Sequence, residues 1–337
     1  MRKYLLPENG KFYKANLHCH STVSDGRWTP EEVKENYKAK GYSVVAYTDH
    51  AAFVPHNELS DDSFIALNGY ELDISEGKIE GRSSKTCHIC FVATDKDRTV
   101  QRIFYDCRHY RNNLEWLSLD PEREPLTREY STEFISDIMK QGAEDGFFVT
   151  YNHPVWSFET MEEYCGYHGM HAMEMVNYGC VTEGYDDRNE NIYDQMLRGG
   201  EKIYCIATDD NHNKFPEGHP RFDSFGGFTM IKAPAFEYGA ITKALVDGNF
   251  YASEGPQIKE LYFEDGKVYI ESSDAARIVM TSANRRYKVA CADKVGETIS
   301  NASFEITPEL GTYVRFTVKD TEGREAYTNA YFLSDLI

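Results

Sequence analysis

No stretch of the chain approaches the ~18 consecutive apolar residues that a membrane-crossing helix needs, and the first residues, Met1-Arg2-Lys3-Tyr4-Leu5-Leu6-Pro7-Glu8, turn polar too early for a secretory leader. A soluble, cytoplasmic protein with no membrane contact is expected. Positive charge is also scarce: 36 Lys and Arg stand against 55 Asp and Glu, a formal net charge of −19. Affinity for nucleic acid comes mainly from clustered Lys and Arg neutralising phosphates, so no nucleic-acid polymer is expected as a partner. Disulfide spacing is missing as well. Eight cysteines scattered through 337 residues suit reduced, partly buried thiols. Cys87-His88-Ile89-Cys90 spells C-x-x-C, but no second such pair completes a structural zinc site, so both thiols are expected to act as buried hydrophobes.

What the chain does have is histidine in patterned positions. Asn16-Leu17-His18-Cys19-His20 is followed by Ser24-Asp25-Gly26 and then by Thr48-Asp49-His50. In extended backbone, alternate side chains share a face, so His18 and His20 point one way and Cys19 the other. Between them lies a helix start: Thr29 as N-cap, Pro30 at the first helical position, Glu32 completing a capping box, and Gly41 as terminator. The apolar run Tyr42–Tyr47 after it reads as a buried strand, placing Asp49 and His50 at its C-terminal end, where α/β barrels collect their functional groups. His-x-His alone is weak, since chance gives about 0.4 such pairs in a chain with this much histidine. Further apolar runs end in residues of the same chemistry: Asn68-Gly69-Tyr70-Glu71, Thr86-Cys87-His88, Val149-Thr150-Tyr151-Asn152-His153-Pro154 and Ala207-Thr208-Asp209-Asp210-Asn211-His212.

Taken together, these motifs resemble the polymerase-and-histidinol-phosphatase (PHP) superfamily of metal-dependent phosphoesterases, over roughly residues 12 to 254. The resemblance implies nine metal ligands: His18, His20, Asp25, His50, Glu71, His88, His153, Asp210 and His212. Asp210 is preferred over Asp209 because Asp-x-His matches the family spacing; Asp209 is expected to support a ligand from behind. His56, His109, His168, His171 and His219 have no matching position and are expected to be structural or on the surface.

Strand-like runs (Tyr42–Tyr47, Phe64–Leu67, Cys87–Ala93, Phe147–Tyr151, Ala172–Val176, Ile203–Ala207) alternate with helical or loop segments that include Thr132–Ala143 and Asn189–Leu197. This predicts an α/β class with a parallel sheet. The resemblance narrows it to a distorted (β/α)7 PHP-type barrel over residues 1–254. Residues 97–130 fit no period and are expected to be an insertion that helps shape the site. A last strand at Phe225–Ile231, a helix at Phe236–Val246 and a boundary at Gly255-Pro256 follow. Beyond them, Ile258–Phe263 and Lys267–Glu271 flank a hairpin turn at Asp265-Gly266, followed by Arg277–Ser282, Ser303–Thr307, Tyr313–Lys319 and Ala326–Phe332. These six short strands without a helix predict a small all-β sandwich-like domain over 255–337, suited to packing or oligomerisation rather than catalysis.

Six imidazoles with three carboxylates suit Zn, Mn or Fe rather than Mg or Ca. The resemblance implies two or three divalent ions: one held by His18, His20, Glu71 and Asp210, a second by Glu71, His88 and His153, a third by Asp25, His50 and His212, with Glu71 bridging the first two. A water between two cations loses its proton near neutral pH and can serve as nucleophile, so no Ser or Cys nucleophile is required. The expected substrate is a small phosphorylated metabolite. A non-phosphate ester or carbamate is the alternative, since the same chemistry attacks carbonyls. Arg221, after His212, is the expected substrate anchor, with Arg27 and Lys214 as weaker candidates.

Overall fold

In a computed structural model, which describes residues 2–77, 85–105, 117–127 and 129–337, the apolar runs pair edge to edge in chain order. The strands are β1 (Lys3–Tyr4), β2 (Lys11–Asn16), β3 (Val44–Tyr47), β4 (Ile65–Ser75), β5 (Thr86–Ala93), β6 (Phe147–Asn152), β7 (Ala172–Asn177), β8 (Tyr204–Thr208), β9 (Phe228–Ala233) and β10 (Phe250–Ser253). Strands β2, β3 and β4 are parallel, as are β6, β7 and β8. Beyond its strand, the β2 chain meets the β8 chain: Cys19 bridges Asn211, the His20 N–H donates to the Asn211 carbonyl at 3.1 Å, and the Asp210 N–H donates to the His18 carbonyl at 3.0 Å. The two ends of the β2–β8 run are thereby joined next to the histidines.

The unbroken parallel alternation expected from the sequence does not hold, because β5 lies antiparallel to both β4 and β6. A reversing pair needs no crossover helix, and among the described residues none separates β4 from β5. Strand β4 is also longer than the apolar run Phe64–Leu67 and continues through Asn68 and Glu71 to Ser75. Glu71 therefore sits inside a strand rather than at its end. Strand β9 is antiparallel to β2, and β10 to β9, so the body is a large, mostly-sheet α/β structure.

The helices are α1 (Pro30–Ala39), α2 (Thr132–Glu144), α3 (Met161–Tyr164), α4 (Tyr178–Glu183), α5 (Glu190–Gly199) and α6 (Tyr238–Val246). Helix α1 begins with the expected capping box: the Thr29 hydroxyl accepts the Glu32 N–H, and the Glu32 carboxylate accepts the Thr29 N–H at 2.8 Å. Helix α2 buries Ile135, Ile138 and Met139, three and four residues apart, against the sheet. No helix among the described residues is long and apolar enough to cross a membrane. Part of the segment 97–130 lies outside the described residues. Its described part buries Ile103 and Tyr105 in the core.

The C-terminal region holds β11 (Ile258–Glu264), β12 (Lys267–Ala275), β13 (Arg277–Ser282), β14 (Lys288–Cys291), β15 (Ile299–Glu305), β16 (Tyr313–Lys319), β17 (Glu325–Thr328) and β18 (Tyr331–Phe332), two more strands than expected. The turn at Asp265-Gly266 has both residues at positive φ, +49° and +76°, as a tight hairpin requires. Strand β14 carries no alternation because it is an edge strand with only Ala290 partly covered. One sheet is β1-β11-β12-β15; the other, β14-β13-β16-β17, continues through β10 into the main sheet. Leu261, Val268 and Ile270 pack against Ile278, Phe316 and Val318 in a core of their own.

Polar contacts tie this region to α5. The Arg315 guanidinium, 2% exposed, grips the Asp194 carboxylate through two hydrogen bonds of 2.9 Å and Glu190 through a third of 2.8 Å, and the Tyr313 hydroxyl donates to Asp194. Removing one partner of a buried pair strands the other charge. Asp194→Ala is expected to cost about 3 kcal/mol of unfolding free energy, measured by chemical denaturation; a loss indistinguishable from zero would show that this pair does not fasten β16 to α5.

Candidate metal centre

Glu71 has essentially no solvent exposure, and ionising a carboxylate there requires compensating charge or donors. Its Oε1 lies 2.9 Å from His88 Nδ1 and 3.3 Å from both His18 Nε2 and His153 Nε2; its Oε2 lies 2.9 Å from His50 Nδ1 and 3.4 Å from His20 Nε2. Asp210 Oδ1 is 3.0 Å from His20 Nε2 and 3.2 Å from His18 Nε2. Asp25 Oδ1 is 3.3 Å from His212 Nε2 and 3.8 Å from His50 Nε2. All nine side chains expected from the sequence as ligands thus gather in one nest. Arg221 is not part of it: it lies at the cavity wall, exposed, its guanidinium 4.8 Å over the Phe215 ring and 3.5 Å from Glu183.

Burial opposes charge on Glu71 and Asp210, yet the surrounding imidazoles hold both carboxyls well below the usual carboxylate range. His20 is pushed down to about 4 by burial and by His212 and His50 beside it. Burial also opposes charge on His153 and His212, but carboxylate contacts, foremost Glu71 for the first and Asp25 for the second, lift both to about 9. His18 Nε2 and His20 Nε2 face each other at 3.1 Å, and both cannot carry a proton. Glu71 Oε2 and Asp210 Oδ1 are fully buried and accept no well-aligned hydrogen bond. Nitrogen lone pairs and undersatisfied carboxylate oxygens converging on common points are what a bound cation needs, and the mixed N and O donor set fits Zn, Mn or Fe. Overlapping sets made of His, Asp and Glu alone, with all donor atoms within 4.8 Å, are His20-Asp25-His50-His212, His18-His20-Asp210 and His50-Glu71-His88. His50 and His20 therefore take part in two sets each.

The loops that present these groups are held by other acids. Asp49, adjacent to His50, turns away from the nest and accepts the Ser21 and Ser24 N–H groups at 2.8 and 3.0 Å, together with both hydroxyls, which fixes the loop carrying Asp25. Asp209 likewise turns away and accepts the N–H groups of Phe225, Gly226 and Gly227 at 2.7 to 2.9 Å and the Tyr37 hydroxyl at 2.8 Å. Asp223 accepts the His212 N–H at 2.8 Å. His153 and Asp210 have positive φ, +29° and +48°, a conformation costly for side chains with a Cβ and kept where the surroundings enforce it.

Glu174 was not singled out from the sequence, nor was Asp223. Glu174 of β7, buried, is 2.8 Å from His18 Nδ1 and accepts the His153 N–H at 2.9 Å, the Thr208 hydroxyl at 2.6 Å and the Asn177 amide at 2.9 Å. It fixes the His18 tautomer and leaves Nε2 for the nest. The signal was present in Ala172-Met173-Glu174-Met175-Val176, a lone acid in a buried apolar strand. His56 packs against Tyr47, His168 pairs with Glu201, His171 accepts the Val149 N–H and His219 stacks on Phe215, so none of these four joins the nest; His109 lies outside the described residues.

A cavity of about 470 Å³ opens over the nest, walled by Trp156, Thr182, Glu183, Lys214, Phe215 and Arg221. Arg27 is exposed and outside it. Neither a family model nor a curated protein matches the chain. Solved structures do. A two-domain protein containing a predicted PHP-like metal-dependent phosphoesterase from Bacteroides vulgatus ATCC 8482 aligns over 98% of this chain and 97% of its own, at 14% identity and a TM-score of 0.44. An amidohydrolase from Chromobacterium violaceum with bound sulfate and no metal aligns over 59% of this chain and 87% of its own, at 18% identity and a TM-score of 0.39.

Glu71→Gln and Asp209→Asn separate the two kinds of carboxylate. Glu71→Gln is expected to lower bound transition metal by at least half with the fold retained. Asp209→Asn, which keeps one acceptor oxygen for four donors, is expected to cost about 1–3 kcal/mol of stability and to leave metal content closer to the parent's. Elemental analysis and thermal unfolding of both variants check this; equal metal losses would contradict it.

Proposed function

We propose that the chain is a PHP-type metal-dependent hydrolase, with a (β/α)7-like barrel interrupted by the reversed β5, acting on a small phosphorylated metabolite. The observation that carries the reading is the carboxylate pair of buried Glu71 and half-buried Asp210, whose oxygens face several imidazoles at 2.9 to 3.4 Å while one buried oxygen of each lacks an aligned donor. His18, His20, Glu71 and Asp210 would hold one ion, Glu71, His88 and His153 a second, and Asp25, His50 and His212 a third. Bound divalent ions supply Lewis acidity toward phosphoryl oxygens and lower the pKa of water.

The protein's own contribution is positioning. Glu174 holds His18 Nδ1 and the His153 backbone together, so two donors from different strands keep a common orientation. Asp49, Asp209 and Asp223 hold the loops around Asp25, Phe225–Gly227 and His212 by accepting their N–H groups. Lys214 and Arg221 place cations at the cavity wall, where a phosphate's spread negative charge is complemented, and Trp156 and Phe215 supply apolar wall. A volume of about 470 Å³ suits a small molecule. Residues 1–254 carry the whole site in this reading, and 255–337 serve packing or self-association.

The test is hydrolysis of a panel of small phosphate esters alongside carboxyl esters, with added manganese or zinc and with chelator. Phosphate-ester turnover that rises with metal and vanishes with chelator is expected, and Arg221→Ala should raise KM roughly tenfold, the worth of one charge-assisted hydrogen bond, at unchanged metal content. Turnover of carboxyl esters alone would reject the phosphate assignment.

A further inference from the structure

Alternation along β5 separates the two thiols of Cys87-His88-Ile89-Cys90. Cys87, Ile89, Phe91 and Ala93 pack together in the main apolar core. His88 and Cys90 lie on the other face, and Cys90, though fully buried, belongs to none of the hydrophobic clusters among the described residues. In the β4–β5 ladder Cys90 stands directly opposite Glu71. Its sulfur, a His18 ring nitrogen and a Glu71 carboxylate oxygen lie mutually within 4.8 Å. The Asn152 side-chain amide donates to the sulfur at 2.9 Å and to Glu71 Oε1 at 3.4 Å, so one amide supports both groups. The carboxylate that Cys90 opposes also carries a buried oxygen, Oε2, without an aligned donor, on the side facing His50 and His20.

We propose that Cys90 supplies a sulfur ligand to the ion shared by His18 and Glu71, a tenth donor beside the six imidazoles and three carboxylates. The inference rests on the metal-centre reading above and adds a ligand type that the His, Asp and Glu pattern does not contain. On binding, the S–H bond is exchanged for a metal–sulfur bond and the proton leaves to solvent, with no change of oxidation state. The Asn152 amide then serves a thiolate, a better acceptor than a thiol. A soft donor among hard ones shifts preference from manganese toward zinc, cobalt and iron.

The full-length protein is stripped of metal, titrated with Co²⁺ and followed in the near ultraviolet, with bound cobalt counted by elemental analysis. A sulfur-to-cobalt charge-transfer band is expected in the parent and in Cys87→Ser, and is expected to be lost in Cys90→Ser, whose zinc-over-manganese preference should fall roughly tenfold. Cobalt bound without the band in the parent overturns the proposal while leaving the metal centre standing. The band persisting in Cys90→Ser also overturns it. Failure to bind any cobalt removes the metal centre itself and this ligand with it. Because serine could disturb the packing, Cys90→Ala is measured in parallel, and the parent spectrum alone suffices to reject the sulfur ligand.

Discussion

One buried carboxylate organises this molecule. Glu71 lies in the interior of β4 with five imidazoles around its two oxygens, drawn from the chain beyond β2, the chain beyond β3, strand β5 and the end of β6. A carboxylate in that position is tolerable only if charge compensates it, so four separate pieces of chain must arrive at one point. The reversal of β5 makes sense in these terms. Running opposite to β4, it brings its third and fifth residues, His88 and Cys90, alongside Asp73 and Glu71. A parallel strand would have needed its own crossover to reach the same place.

Around this point sits a layer of acids that bind backbone rather than face the nest. Asp49, Asp209 and Asp223 each accept two or more hydrogen bonds from loop N–H groups, and Glu174 links a side chain of one strand to the backbone after another. Part of the chain's acidity, within a net charge of −19, is therefore internal scaffolding. Rigid loops also keep His153 and Asp210 in left-handed backbone, where bulky side chains do not settle unaided.

Much of this was legible from residue order. The capping box at Thr29 and Glu32 and the hairpin at Asp265-Gly266 follow from local spacing, and local spacing survives folding; the preference for Asp210 over Asp209 comes from the Asp-x-His spacing of the family resembled, and Asp210 is the one that faces the nest. What was hidden depends on pairing across the sheet. Nothing in Thr86–Ala93 says that the strand runs backwards, because a buried antiparallel strand and a buried parallel one read alike. Glu174 sits within an apolar run, and its role rests on partners from the chain after β6, from β8 and from the chain after β2. Cys90 looked like half of a C-x-x-C pair, and only the alternation along β5, combined with its register against Glu71, parts it from Cys87. Strand β14 escaped because an exposed edge has no apolar period.

The central claim is that Glu71 and Asp210 are arranged for cations, and anomalous X-ray diffraction from crystals of the full-length protein soaked in zinc or manganese tests it most directly. Peaks at the metal's absorption edge are expected between the imidazoles and the oxygens of these two carboxylates, at coordination distances of roughly 2.0–2.3 Å. An ordered nest with no anomalous peak at saturating metal, its carboxylates satisfied by protons or water instead, would contradict it.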